Sequence, residues 1–453
     1  ATVGSPFFFE YKNQSPLAPP TGEWLYALPS LLFGISPATT LVISKCILPS
    51  LLFLLVYILA LQLTKGEGLS RKLNAIMCGL FVVLGYDLID YRTVFSYLSG
   101  TASPGSFLLW ARPINPILGG IFLFSFLIAV VGLLQETKRR KTTFFLASLF
   151  LALMFGSYFF SWGTALSVLF VLSLFLLIRK NYRMAGTLTA IVPFGILLAL
   201  PYFVGTWFAS QSPLYESSIL RLGLFYTHYP ILNKFLVVAL LLFSTILAVD
   251  VWWKKRKGIT FSFEEWHVVC SSFLLGGLWT YIQQIITGRT IWPYHFVQYT
   301  IPLAIVAGCV LLYNVVREWK PIVWGIVAIG VAGSSLLFGI YVQVGAYTLN
   351  RPFYVTQQEF GPLFSWLNAQ EKDCVVFVNE TRWEMSNLNT VLPAFTHCNR
   401  YASTELYGLI PEERGLDAYL ARLRLLGVTS LGIDDYFQAH KGEASGYLFS
   451  NWK

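Results

Sequence analysis

The chain has 453 residues, of which 55% are hydrophobic, 17% aromatic and only 12% charged, and its mean hydropathy is +0.61. So little polar covering cannot hide that much apolar surface in water, which argues against a large soluble α-protein. The formal net charge of +9 would suit nucleic acid, but the placement of the basic residues makes it a matter of membrane topology instead.

Residues 1–37 are polar and Pro-rich, and the segment "SPLAPPTGEWLYALPSLLFGIS" carries short amphipathic pieces broken by Pro and Gly. The run Tyr26, Leu28 and Leu31-Leu32-Phe33 is too short to span a bilayer. It suits either an interfacial helix on the outer membrane surface or an irregular loop capping the bundle. Ten apolar runs follow, at about 38–64, 73–90, 115–134, 142–158, 160–178, 184–204, 232–252, 265–286, 295–315 and 321–344, and each approaches the ~20 residues that cross a hydrocarbon core. Sixteen Lys and Arg fall in five alternate loops, containing Lys65, Arg71 and Lys72; 138–141; Arg179, Lys180 and Arg183; 254–257; and Arg317 with Lys320. The intervening loops hold five (Lys12, Arg92, Arg112, Arg221 and Arg289), or seven with Lys45 and Lys234 at outer span ends. This is the positive-inside pattern. It puts residues 1–37 and the C-terminal segment on the extracytoplasmic side. The first segment is then an outer loop, and a leading helix is expected to precede it.

From Arg351 onward nine basic residues meet twelve acidic ones, so the tail is slightly acidic. Residues 360–369 read as an amphipathic helix, "CVVFVN" as a strand, 411–426 as a helix opened by Pro411 and two acids, and "VTSLGI" as a second strand. That alternation predicts a small α/β layer with a partly parallel sheet. The reading is mainly α: a polytopic transmembrane helix bundle of about ten spans (38–345), a first outer loop (1–37) and a small extracytoplasmic α/β domain (346–453). Cys46, Cys78, Cys270 and Cys309 lie in apolar runs, where they serve as small buried hydrophobes. Cys374 and Cys398 lie in the tail, where the compartment permits a disulfide.

Polar residues gather at the outer ends of spans. "GYDLIDYR" holds Asp87 and Asp90, three apart and so on one helix face, followed by Arg92; the acids form a carboxylate pair, or one salt-bridges Arg92. "WARPINP" holds Arg112 and Asn115, "SPLYESSILRLG" holds Glu216 and Arg221, and "QQIITGRTIWPYHFVQY" holds Gln283, Thr287, Arg289, His295 and Tyr299. Ionisable groups at membrane depth usually face a cavity or a partner, so four such loops on one side suggest an outward polar pocket. Each Arg has a plainer alternative, snorkelling to lipid phosphate, and a lone His is as readily structural. HExxH, CxxC and EF-hand patterns are absent, while a divalent ion (Mg or Mn) held by carboxylate oxygens stays open.

With its first outer loop "SPLAPPTGEW", the aromatic "GSYFFSWG", the "TGRTIWPYHF" stretch and a C-terminal outer domain, the chain resembles the GT-C superfamily of polytopic glycosyltransferases. That resemblance implies a polyprenyl-phosphate sugar donor, the lipid bilayer as surroundings and no nucleic-acid partner. It also implies an acid in the first outer loop acting as base toward the acceptor or helping hold a metal. The matching acids are Glu10 in "FFFEYK" and Glu23 in "TGEW", neither of which stands in an acidic pair. Asp87 and Asp90 are the further candidate acids, with Arg92, Arg112 and Arg289 as phosphate ligands and Glu216, Arg221, His295 and Tyr299 as substrate contacts. A transporter or flippase and a non-catalytic envelope protein are the competing classes. Transporters favour polar sites at the midplane, and here the span centres are nearly free of ionisable residues.

Overall fold

The computed structural model describes residues 10, 14, 17, 19–101, 108–135, 139–372, 374–378, 388–401 and 409–442. Most of the expected first outer loop before Pro20, including Lys12, lies outside the described residues. The chain opens with α1 (Thr21–Phe33), closed by Gly34 at a φ of +65°, the left-handed cap that glycine adopts without strain. Leu31, Leu32 and Phe33 at its end are exposed, as an interfacial helix requires.

The apolar runs form α2 (Pro37–Leu63), α3 (Leu69–Val83), α5 (Ile117–Gln135), α6 (Arg140–Phe155), α7 (Phe159–Ile178), α8 (Tyr182–Leu198), α11 (Lys234–Arg256), α12 (Glu265–Ile282), α14 (Val297–Leu311) and α16 (Pro321–Gln358), with the short α4 (Tyr91–Leu98) between α3 and α5. Among the described residues seven helices are long and apolar enough to cross a membrane, and an eighth span arises if α8 is counted with α9 (Leu200–Ser210), to which it is bent by 63°. Pro201 at the start of α9 accounts for the break, since it cannot donate into the preceding turn. The helices α3 and α6, at 15 and 16 residues, are shorter than the expected second and fourth spans.

In α5 nearly every residue is buried, and α14 is similarly enclosed; these two are the centre of the bundle. The helices α11 and α16 turn much of their apolar surface outward, toward lipid. Cys78, Cys270 and Cys309 are buried as expected, but Cys46 is exposed on α2, because that stretch of the helix faces outward. The helices α7 and α12 touch at Gly276, where a Cβ would lie 2.7 Å from the Val168 Cα. A small residue at the crossing is how membrane helices approach closely without a hydrophobic driving force. At the end of the bundle that carries the basic loops, Lys65 pairs with Glu264 at 2.6 Å and Lys254 with Asp250 at 2.9 Å. Asn314 ties the loop after α2 by bonds to the Leu63 carbonyl and the Lys65 N–H.

On the opposite face, α10 (Tyr215–Arg221) leads into β1 (Leu224–Tyr226), which pairs antiparallel with β2 (Arg289–Ile291) after the single turn α13 (Gln284–Thr287). The turn α15 (Arg317–Trp319) precedes α16. The tail holds α17 (Gly361–Asn368), β3 (Val375–Val376), α18 (Leu388–Phe395), β4 (Asn399–Arg400), α19 (Glu412–Leu425) and α20 (Ile433–Ala439). A parallel pair exists, but β3 pairs with β4, not with "VTSLGI". That stretch is a turn running into α20, with Val428 and Ile433 packed on the α19 core rather than in a ladder. Cys374 and Cys398 form a disulfide beside this pair. The helix α16 runs unbroken through the expected 345/346 boundary.

Candidate active site

Two features meet at the outer ends of α5, α7, α12 and α14. The first is a groove of about 510 Å³ between α7 and α12, walled by Phe159, Trp162, Leu166, Phe170, Trp279 and Phe296. Its polar end comes from Gln283, Thr287, Arg289 and Thr290. The Thr287 hydroxyl donates to Gln283 Oε1 at 2.7 Å, and Gln283 Nε2 donates to the Arg289 carbonyl at 3.1 Å, which fixes the turn into β2. The β1–β2 register sets Arg289 opposite Tyr226, and its guanidinium lies 5.4 Å from that ring. Thr290 is buried with its hydroxyl lacking a partner, and a buried polar atom left unpaired is costly unless something supplies the bond. The groove is thus an apolar slot with one polar, cationic end.

The second feature is a cluster beneath α1. The Tyr158 hydroxyl lies 3.3 Å from His295 Nδ1, His295 stacks on Phe160 with ring centres 5.1 Å apart, and the buried Tyr299 donates to the Pro116 carbonyl at 3.1 Å. Arg112, exposed at the head of α5, lies close enough to act electrostatically on both His295 and Tyr299. Asn115 Oδ1 is buried without a partner. The helix α1 covers this region closely: Thr21 N–H donates to the Gly156 carbonyl, and a Cβ on Gly22 would lie 2.6 Å from Ile114 Cγ2. The two features adjoin through aromatic rings, because Phe160 packs on Phe296 with centres 5.0 Å apart and Phe296 walls the groove. Two residues here hold unfavourable backbone, Ile114 at φ +64° and Trp292 at φ +29°, and such strain collects at functional sites.

The other sequence candidates hold separate positions. Glu23 is exposed on α1, yet the apolar mass beneath it pushes its carboxyl above the usual range, outweighing a hydrogen bond from its own backbone N–H. Glu10 pairs with Arg414 of α19 at 3.2 Å. Asp87 and Asp90 do not share a helix face, because α3 ends at Val83 and Asp87 sits in the 3₁₀ turn Tyr86–Ile89. Asp90 caps α4 and chelates Arg92, Nε to Oδ1 at 3.0 Å and Nη2 to Oδ2 at 2.8 Å, which holds its carboxyl below the usual range. That leaves Asp90 as a salt-bridge partner rather than half of a carboxylate pair. Burial raises Asp87.

Glu216 is exposed in the first turn of α10. Arg221 turns inward, where Nη2 donates to Ser218 Oγ at 2.7 Å and to the Ile410 carbonyl at 2.5 Å; burial lowers its pKa against the pull of Glu412. Of the arginines, Arg289 lines the groove, Arg112 belongs to the His295 cluster, Arg92 is taken by Asp90 and Arg221 by the C-terminal segment. Sequence reasoning did not single out Tyr158, Phe160 or Thr290. The aromatic run at Tyr158 was visible, but which rings face inward depends on the α6–α7 turn.

Among the described residues the candidate acids do not gather into a set of oxygen ligands for a hard divalent cation. Among the described residues the group within ligand distance is Cys374, His397 and Cys398, two of them sulfurs of the disulfide, while Mg or Mn wants gathered oxygens.

No protein-family model matches this sequence, and none of the curated proteins does. Among solved structures the chain is similar to the crystal structure of ArnT from Cupriavidus metallidurans in the apo state, at 12% identity and a TM-score of 0.49, covering 88% of this chain and 78% of that one.

Proposed function

We propose that this protein is a membrane glycosyltransferase of the GT-C kind, moving a sugar from a polyprenyl-phosphate donor to an acceptor at the extracytoplasmic face. The observation that carries this reading is the groove between α7 and α12, apolar along its length with Arg289 and an unsatisfied Thr290 hydroxyl at its outer end. An amphiphile with a long hydrocarbon tail and an anionic head fits it by chemistry. A guanidinium suits the phosphate, which it can meet with two N–H groups.

In this reading the acceptor hydroxyl attacks the anomeric carbon and its proton passes to a carboxylate. The bond from that carbon to the phosphate oxygen breaks, and polyprenyl phosphate leaves with the electron pair, stabilised by Arg289. Glu23 is the carboxylate we assign. Its raised pKa brings it nearer the range in which a base works best, and its chain neighbour Gly22 packs against Ile114, two residues from Arg112. Arg112 supplies the second cation and Tyr158 a sugar contact, with the buried Tyr299 packed behind it. No step is routed through a metal.

Polyprenyl phosphate itself is the probe. Native mass spectrometry of the reconstituted protein should find it retained. Arg289→Gln should weaken retention about tenfold, the loss of one charged hydrogen bond, with Arg289→Lys in between. Leu166→Trp should abolish it by filling the slot. Glu23→Gln should keep retention and lose release of the carrier from a sugar-loaded donor. Failure of the wild-type chain to retain the carrier would sink the reading.

A further inference from the structure

The motif "GYDLIDYR" has no part in the site above, yet it stands at the end of a second groove. This one, of about 340 Å³, lies among α3, α11, α14 and α16 and is walled by Met77, Phe81, Phe235, Leu242, Ile301 and Leu312. From Ile301 to Leu312 it runs about 16 Å at helical rise, close to one leaflet's half of the ~30 Å hydrocarbon core. Its outer end is marked by Ile89 and Phe235, whose chain neighbours carry charge: Asp87 and the Asp90–Arg92 pair beside Ile89, and Lys234 beside Phe235. The Asp87 carboxylate has no hydrogen-bond or ion-pair partner among the described residues.

The depth of that end is set by α4. Its exposed Tyr91, Phe95 and Leu98 recur at i, i+4 and i+7, the face of an interfacial helix. Tyr97 anchors the helix edge-on to Phe338 and Tyr341 of α16, at 5.5 and 5.0 Å. The acids and bases therefore stand at headgroup level.

We propose that this groove holds one acyl chain of a bilayer phospholipid whose headgroup carries a primary amine, the ammonium met by Asp87 and the phosphate by Lys234. The occupant follows from charge complementarity. An uncommitted carboxylate and a basic residue flanking one groove end match a zwitterionic head, and the carboxylate repels a purely anionic one. The inference is independent of the glycosyltransferase reading, since none of these groups belongs to that site.

The test uses the full chain in nanodiscs of equal phosphatidylethanolamine and phosphatidylglycerol, extracted into mild detergent, with the retained lipid weighed by native mass spectrometry. Phosphatidylethanolamine should be retained in preference. Gly308 lines the groove and a Cβ there meets nothing within 4 Å, so Gly308→Leu should fill the slot, expel the lipid and leave the melting temperature of the lipid-free protein unchanged. Asp87→Asn should reduce the preference for phosphatidylethanolamine about tenfold while an acyl chain is still held. Undiminished lipid on Gly308→Leu would overturn the proposal, as would equal retention of the two lipids by the wild-type chain or an unchanged preference in Asp87→Asn.

Discussion

Gly223 shows how much of the site rests on one missing methyl group. Its φ of +84° lies in the left-handed region, and a Cβ there would fall 0.9 Å from Trp292 Nε1. The indole occupies the space a side chain would need, and through it α10 meets the residue that follows β2. Gly223→Ala should cost about 2–4 kcal/mol from combined strain and overpacking, read as a lower melting temperature, and should weaken carrier retention because Arg289 shifts with β2. Glu23 gives a pH dependence at the same scale. A carboxyl whose pKa rises on folding favours the folded arrangement below its unfolded pKa, and that contribution is lost as pH rises through the raised value. The helix α1 should therefore be most protected from amide exchange at mildly acidic pH, after correction for intrinsic rates, and Glu23→Gln should flatten the profile. The candidate charges were visible in the sequence because they interrupt apolar runs. Their partners were not: nothing local says that Arg221 turns toward Ile410 while Arg289 stays at a groove.

At the level of elements, each expected span falls on a helix, because hydrophobic runs bounded by charge leave a chain in lipid little choice but to satisfy its backbone internally, but among the described residues seven or eight of the ten are long and apolar enough to cross. Lengths and bends were harder to read. The helix α3 stops at Val83 and gives way to a 3₁₀ turn, although the apolar run continues through Ile89, and the apolar run 184–204 passes through the break before Pro201 without a change in hydropathy. In the tail "VTSLGI" carries β-branched residues in a strand-like pattern, but its context is a turn between two helices, and tertiary packing outweighs so short a propensity. The α7–α12 crossing makes the sharpest prediction here. Since a Cβ on Gly276 meets backbone that cannot rotate away, Gly276→Ala should separate the helices at a cost of about 1–3 kcal/mol. The altered slot should also lower carrier affinity, whereas Gly186→Ala, where a Cβ meets nothing within 4 Å, should change neither.

For the whole molecule, the positive-inside pattern makes a prediction about which side each end faces. Single cysteines at Lys255 and Asp434, in a background without the native thiols, should differ in intact cells: an impermeant reagent should label the second and spare the first. The outer segment is tied down by the Cys374–Cys398 disulfide, Glu10–Arg414 and Arg221 to Ile410. Replacing both cysteines by serine should destabilise that segment by about 2–4 kcal/mol, seen as faster proteolysis there with the bundle intact.

The helix α16 has 38 residues, so it is about 57 Å long, nearly twice the ~30 Å of a hydrocarbon core. One continuous helix thus leads into the C-terminal segment. Its height is set by the thickness of the lipid it stands in, and a change of tilt of about 10° would swing the far ~27 Å sideways by roughly 5 Å. Membrane thickness is thereby converted into the position of chain well outside the bilayer.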